Sequence, residues 1–370
     1  MRLLVCVSEY YPYGSGIANS AYNVVTHLQK MGVECTVCSP TGPDIKLGSK
    51  SMIDKYGRLG LLYYWHEVAK YFKERADEYD VAWLHYPLFL RESPFKKCVV
   101  TIHSIAYGIR YPSYFYIYKK FSSSIEGYCL NRLSSEVKFT GVSHKTCREF
   151  QTITKGRKKI TFIPNGVDTE RFKPTKDKES LRIRFNIPKN AVVLLSVGRL
   201  VYHKKPFRMV DVFCEIQKMC EKCMLVIAGK GTLFNQVKEY AVRKNASNIR
   251  FLGFVSDNDL PDLYACSDYF IVTSEYEGGE PILTLAEAMA SGLPCIVSNI
   301  PNFRIVDDAS CGIIVDFTNA EQASQAIISY LKQDHLEHSR NARAYAVKEL
   351  DWKIIAQRYL SELESVLTQP

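Results

Sequence analysis

Short apolar runs alternate with helix-length amphipathic runs from one end of this chain to the other. A strand buried on both faces reads as a continuous apolar run, and a parallel neighbour needs a crossover of helix length before it. The alternation therefore predicts an α/β chain with parallel sheets covered by helices. In the first half the runs predict strands at Leu3 to Ser8, Glu34 to Ser39, Val81 to His85, Cys98 to His103 and Lys138 to Ser143. In the second half they predict strands at Val192 to Val197, Met224 to Ala228, Ile249 to Phe254, Tyr269 to Thr273, Cys295 to Ser298 and Gly312 to Val315. The first predicted helix, near Ala18 to Met31, carries Ala21, Val24, Val25 and Leu28 at helical spacing and ends at Gly32.

At roughly 100 to 200 residues per domain, a chain of 370 residues predicts about two domains. The polar stretch Phe172 to Ser180, with Pro174, is the expected boundary, giving a first domain over 1–172 and a second over 181–351. With 46% apolar and 24% charged residues, neither wholesale disorder nor a fibrous repeat fits. No apolar run approaches the roughly 20 residues that cross a bilayer. The opening Met1 to Val7 meets Ser8-Glu9 too soon for a signal-peptide core, so a cytoplasmic chain with reduced thiols is expected. The pairs Cys35/Cys38 and Cys220/Cys223 have the spacing of zinc half-sites but lie far apart, and are read as small apolar thiols.

The net charge of +9 belongs to the first half: residues 1–168 hold 23 Lys and Arg against 14 Asp and Glu, and the remainder is balanced. A basic face points to an anionic partner, whether nucleic acid, a phosphorylated substrate or a membrane surface. Nothing resembles a zinc-finger, KH or RNP signature, so nucleic acid is not expected as a partner. Tyr107 to Phe121 interleaves aromatic residues with Arg110, Lys119 and Lys120. That composition suits a peripheral membrane contact at the inner face of the membrane or a lipid-phosphate acceptor, and equally a partly buried helix with a solvated edge.

In parallel sheets ligands bind beyond the carboxyl ends of the strands, so chemistry is sought in the loops that follow them. Gly14-Ser15-Gly16, between a strand and a helix, allows backbone N–H groups to approach a phosphate, and fits a structural turn equally well. Gly198-Arg199-Leu200, followed by Lys204 and Lys205, supplies an arginine fork and a flexible ammonium that suit a departing diphosphate. Glu277-Gly278-Gly279-Glu280-Pro281-Ile282-Leu283 precedes a helix holding Glu287 and ending at Gly292. Glu280 and Glu287 are expected on one helical face, where carboxylates accept hydrogen bonds from sugar hydroxyls. His103 ends its strand, a place where a histidine is structural unless other site residues face it. Asp257-Asn-Asp259 has the look of a metal-binding pair and is read instead as the cap of the helix from Leu260.

The run from Glu277-Gly to Glu287-Ala-Met-Ala-Ser-Gly-Leu-Pro294 closely resembles the signature of family-4 glycosyltransferases of the GT-B fold, retaining enzymes that use nucleotide-activated sugars. Gly14-Ser-Gly16, Gly141-Val-Ser143, Ile163-Pro-Asn-Gly-Val-Asp168, Gly198-Arg-Leu200 with Lys204, and Phe251 to Val255 with Leu263-Tyr264 and Ser267-Asp268 resemble further segments in the family's order. The resemblance implies two Rossmann-like domains facing a cleft, with a final helix, about 352–370, returning to the first domain. Ile354, Ile355, Tyr359, Leu360, Leu363 and Val366 are its expected packing stripe.

The resemblance further implies a hexosyl donor carried as a UDP- or GDP-sugar. Arg199 and Lys204 would bind its diphosphate, Glu287 its ribose hydroxyls and His103 its sugar. Backbone at Gly14, Gly16 and Gly198 would lie near the phosphates, and Gly278, Gly279, Pro281, Ile282 and Leu283 would line the donor site. The family's two glutamates enclose about seven residues, whereas Glu277 and Glu287 enclose nine and Glu280 and Glu287 six, so either Glu277 or Glu280 is the sugar contact. No metal or cofactor is expected. The acceptor implied is a glycan or lipid-linked molecule of cell-envelope or surface polysaccharide synthesis. A noncatalytic nucleotide-sugar scaffold, an epimerase and a phosphorylase of the same fold are the alternatives.

Overall fold

The computed structural model describes residues 1–12, 15–105, 116–134 and 136–368, with the backbone alone at 116–119. The chain divides into two compact units, Met1–Asn165 with Trp352–Pro370, and Gly166–Asp351, so the division falls ahead of the polar stretch after Phe172.

Unit 1 begins with β1 (Arg2–Cys6), α1 (Gly16–Lys30), β2 (Glu34–Ser39) and β3 (Ile45–Lys46). A helical pair follows, α2 (Lys50–Tyr56) and α3 (Arg58–Tyr71), then β4 (Val81–His85), β5 (Cys98–Ile102) and α4 (Tyr116–Arg132). The unit continues through β6 (Lys138–Gly141), α5 (His144–Ile153) and β7 (Thr161–Phe162). Unit 2 runs α6 (Lys178–Arg184), β8 (Val192–Val197), α7 (Pro206–Met219), β9 (Cys223–Ala228), α8 (Phe234–Arg243) and β10 (Ile249–Gly253). It ends with α9 (Leu260–Ala265), β11 (Tyr269–Val272), α10 (Leu283–Ala290), β12 (Cys295–Ser298), α11 (Ile305–Asp308), β13 (Gly312–Val315), α12 (Ala320–Leu331) and α13 (Leu336–Tyr345). The last helix, α14 (Trp352–Leu367), belongs to unit 1.

Both sheets are parallel throughout, in the orders β3-β2-β1-β4-β5-β6-β7 and β10-β9-β8-β11-β12-β13. Each order grows outward in one direction and then returns to grow in the other. The reversal falls between β1 and β4 in unit 1 and between β8 and β11 in unit 2. Crossovers that leave in opposite directions open a crevice at the carboxyl ends of those two strands.

Helix α1 starts at Gly16, earlier than expected, because Ser15 caps it: the Ser15 hydroxyl accepts from the Ala18 amide at 3.1 Å. It buries Ala18, Ala21, Val24, Val25 and Leu28 and packs beside α14. Helix α14 turns Trp352, Ile355, Ala356, Tyr359, Leu363 and Val366 inward, whereas Ile354 and Leu360 stay partly exposed at the margin of the expected stripe. The Tyr359 ring lies 4.7 Å from that of Trp83 on β4.

In unit 2, Asp268 ahead of β11 ties the base of the sheet together. Its Oδ2 accepts from Arg182 at 2.6 Å and from the Val193 amide at 2.7 Å, while Oδ1 pairs with Lys178 at 2.6 Å. Arg182 is buried and also donates to the carbonyls of Cys266, Lys189 and Ala191. Removing one partner strands a buried charge. Asp268→Ala should therefore cost about 3 kcal/mol, seen as a lowered urea midpoint for the unfolding of the full chain, while Lys178→Ala, at a partly exposed position, should cost far less.

Candidate functional site

The loops after β8 and β11 stand on either side of the strand-order reversal in unit 2, and nearly every sequence-derived donor residue of this unit lies in them or just beyond. The loop after β8 is braced by the loop after β9. A Cβ at Gly229 would lie 2.0 Å from the Gly198 carbonyl oxygen, so the two backbones touch and only glycine fits there. The Leu200 amide donates to the Lys230 carbonyl at 3.0 Å, fixing the course of the loop on either side of Arg199. The Arg199 side chain is exposed and makes no ion pair among the described residues.

A short 3-10 turn, Tyr202–Lys204, then carries the chain to α7. It is strapped to the acidic loop after β11 at several points. Lys204 Nζ pairs with Glu277 Oε1 at 2.5 Å, and Lys205 pairs with Glu275 at 2.8 Å. The Glu275 amide donates to the His203 carbonyl, and the Thr273 hydroxyl to the Lys204 carbonyl, each at 2.8 Å. The His203 ring stacks on Tyr276 with centroids 4.8 Å apart. Glu277 is nearly buried and Lys204 is one-fifth exposed, so this ion pair is held in a partly dry setting with its cation facing outward.

The rest of the acidic loop is anchored from β12 and beyond. Ser298 donates to the Ser274 carbonyl at 2.5 Å, and the buried Asn302 amide donates to the Gly279 carbonyl at 3.0 Å. Gly278 is exposed at the tip, while Glu280, Pro281 and Ile282 turn inward. Ile282 is extended (φ −68°, ψ 149°) and α10 opens only at Leu283. Glu280 therefore precedes the helix, and the expectation that Glu280 and Glu287 share one helical face is corrected. No side chain among the described residues caps α10; the Leu285 and Ala286 amides donate to the Ile282 carbonyl, which leaves those of Leu283 and Thr284 for an anion.

Glu287 sits in the second turn of α10, partly buried, with Tyr264 Oη 2.8 Å from its Oε2. Burial pushes its pKa up to about 7, and the Tyr264 hydrogen bond and Arg171 pull the other way. Asp259 is at the start of α9, but its carboxylate caps nothing. It accepts from the Ser256 hydroxyl at 2.6 Å and pairs with Arg184, while the Ser256 hydroxyl accepts from the Asp259 amide at 3.1 Å. Asp259 thus holds the expected N-cap position without the expected capping bond. Of the spaced thiol pairs, Cys38 and Cys223 are buried, and Cys35 and Cys220 partly so.

In unit 1, Gly16 is the first residue of α1, and Gly14 lies outside the described residues. A Cβ at Gly16 would meet nothing within 4 Å, so packing does not demand glycine there. His103 follows β5 and is 8% exposed. Its Nε2 is 2.9 Å from Nδ1 of His85, the last residue of β4, with the rings nearly parallel. Burial pushes the pKa of His103 down to about 4, and His85 also lies well below the usual histidine range. The aromatic and basic stretch of Tyr107 to Phe121 falls mostly outside the described residues. Phe121 is exposed and lines an apolar hollow of about 130 Å3 with Leu59, Leu62, Leu88 and Ile125. No helix among the described residues is long and apolar enough to cross a membrane.

Sequence reasoning missed His85, Asn302 and the anchoring role of Tyr264. His85 ends β4, whose bounds match the expected strand, so the strand-end position that marks His103 marks His85 equally.

Two family descriptions match the chain: glycosyltransferase family 4 over residues 14–171, and glycosyl transferases group 1 over residues 177–349. The chain belongs to the family-4 glycosyltransferases of the GT-B fold. It is 31% identical to a mannosylfructose-phosphate synthase of Agrobacterium fabrum over 228 residues, 58% of this chain and 49% of the relative. It is 33% identical over 175 residues to an Escherichia coli galactosyltransferase acting on GlcNAc-diphosphoundecaprenol, covering 46% of this chain and 44% of the relative. These matches thus span about half the length of those curated relatives. Among solved structures, sucrose-phosphate synthase of Thermosynechococcus elongatus shares the fold with a TM-score of 0.80 at 16% identity, covering 99% of this chain and 98% of the other. HepE of Anabaena in complex with UDP-glucose gives 0.72 at 18% identity, covering 99% and 100%.

The physical account of Glu287 predicts that carbon-detected NMR will place its titration near neutrality. Tyr264→Phe, which removes the hydrogen bond favouring the carboxylate, should raise it further.

Proposed function

We propose that this chain is a retaining hexosyltransferase that takes a sugar from a nucleoside diphosphate and passes it to a glycan or lipid-linked acceptor. The observation that carries the reading is the convergence of Arg199, the Lys204–Glu277 pair and the uncapped start of α10 at the strand-order reversal of the second sheet. Two cations and a set of free N–H groups are what a leaving diphosphate requires. The partly buried carboxylate of Glu287, in the second turn of α10, is suited to ribose hydroxyls.

In this reading the acceptor oxygen bonds to the anomeric carbon on the face from which the diphosphate departs. The electron pair of the breaking C–O bond goes to the leaving phosphate, and one of its oxygens takes the acceptor's proton. Arg199, Lys204 and the α10 N-terminus stabilise the charge that develops, and no side-chain base is required. Glu277 orients Lys204 and, with the turn through Glu280 and Pro281, borders the sugar. His103 contributes a hydrogen bond to the sugar, and the open space over Gly16 admits the phosphates closely.

The similarity to proteins named for galactosyl and mannosylfructose-phosphate synthesis, and to a structure holding UDP-glucose, supports a nucleotide-sugar donor. The apolar hollow lined by Leu59, Leu62, Leu88 and Phe121 suits an acceptor with a hydrophobic carrier. A polysaccharide or glycolipid of the cell envelope is the product class this implies, made at the cytoplasmic side with peripheral contact to the membrane.

A thermal-shift series against UDP, GDP, ADP and their sugar conjugates tests the donor site. One nucleotide, present at a hundred times its Kd, should stabilise the chain by about 2.7 kcal/mol. The accompanying rise in Tm should vanish in Arg199→Ala and in Glu287→Ala. A shift that survives both substitutions would move the nucleotide elsewhere.

A further inference from the structure

His85 is a buried group that the proposed mechanism does not use, and its environment determines how His103 is protonated. The two rings share one short contact, His85 Nδ1 to His103 Nε2 at 2.9 Å. Both are deeply buried, and neither is in an ion pair among the described residues. Burial and their mutual proximity keep both rings neutral, so each carries a single proton and the contact holds one N–H and one lone pair.

Only two arrangements satisfy that count. If His103 donated from Nε2, neutral His85 would carry its proton on its own Nε2. That atom is sealed from solvent and has no hydrogen-bond partner among the described residues. If instead His85 donates from Nδ1, its buried Nε2 is a bare lone pair. An orphaned buried N–H is rarer in folded proteins than an under-satisfied acceptor. The second arrangement leaves His103 with its proton on Nδ1, an atom without a partner among the described residues.

The surroundings of His85 hold it in place. Its ring packs against Trp83 with centroids 4.3 Å apart. The Trp83 indole donates to the Thr101 hydroxyl at 2.8 Å, and that hydroxyl lies 2.8 Å from the Thr140 hydroxyl, all of it buried. Parallel pairing sets His85 opposite Thr101, so His103, on the same face two residues later, comes within reach of His85.

We infer that His85 is a positioning residue which, by donating its Nδ1 proton to Nε2 of His103, fixes His103 as a neutral Nδ1–H donor aimed at an oxygen of the donor sugar. The sugar contact rests on the proposed function, whereas the tautomer does not, and the two fail separately.

Nitrogen-15 NMR of the histidine rings in the full chain, assigned with His103→Gln, reads the tautomer directly. In the wild type, His103 should be protonated at Nδ1 and bare at Nε2. His85→Asn keeps an N–H donor and should preserve this state, whereas His85→Phe should return His103 towards the Nε2–H form. Removing one neutral hydrogen bond at the reacting end should lower kcat about tenfold in His85→Phe, with donor KM little changed and kcat recovered in His85→Asn. A proton on His103 Nε2 in the wild type would overturn the assignment. A tautomer as assigned, with kcat unaffected by His85→Phe, would overturn the positioning role. Unaltered turnover in His103→Ala would overturn the sugar contact instead.

Discussion

Every strand in both sheets runs parallel to its neighbour, so all the carboxyl ends of a sheet lie along one edge, and in each sheet the strand order reverses once along that edge. At the reversal the two loops part, and backbone that would otherwise be buried by a crossover is left for a ligand. In unit 2 the parted loops are those after β8 and β11, and each is braced by hydrogen bonds from outside itself. The glycine contact between Gly229 and Gly198 holds one. Ser298 and Asn302 hold the other, and the Lys204–Glu277 pair joins them. The flexible cation is thus set in position before any substrate arrives, which lowers the ordering cost of using it.

The two units use buried polar groups in different ways. At the base of unit 2, Asp268 and Arg182 satisfy one another and three backbone carbonyls, a structural network on the edge away from the donor loops. In unit 1 the polar groups lie among the central strands, where Trp83, Thr101, Thr140, His85 and His103 form a connected set beneath α14. The buried His85 Nε2 in that set has no hydrogen-bond partner among the described residues. An incompletely paired buried network is costly, and its persistence at the carboxyl edge of a sheet accords with use at a site rather than with packing.

Much of this was legible in the sequence because its signals are local. Val192 to Val197, Cys295 to Ser298 and Gly312 to Val315 appear as strands within the limits that their apolar runs predict. The two-residue strands β3 and β7 are too short to leave a pattern. Helices α2 and α3 leave little signal in the sequence: α2 buries no residue, and Leu59 and Tyr63, exposed apolar residues, blur the stripe of α3. The candidate donor-loop residues stand out in the sequence because strand ends in parallel sheets attract ligands. Their pairing does not, since Lys204 meets Glu277 only because β11 returns to lie beside β8, a fact of strand order. The same holds for His85, whose meaning comes from the neighbouring strand. Glu280 does not share a helical face with Glu287, because the chain stays extended through Ile282 and the helix opens only at Leu283.

The central claim is that a nucleoside diphosphate binds where the strand order of the second sheet reverses. Hydrogen–deuterium exchange of the full chain, with and without the nucleotide that most raises its Tm, locates the ligand directly. The account predicts slowed exchange concentrated in Gly198 to Lys204, Thr273 to Leu283 and the first turns of α10. Protection that leaves these segments unchanged and appears instead at the amino-terminal edge of the sheet, around Asp268 and Gly292, would contradict it.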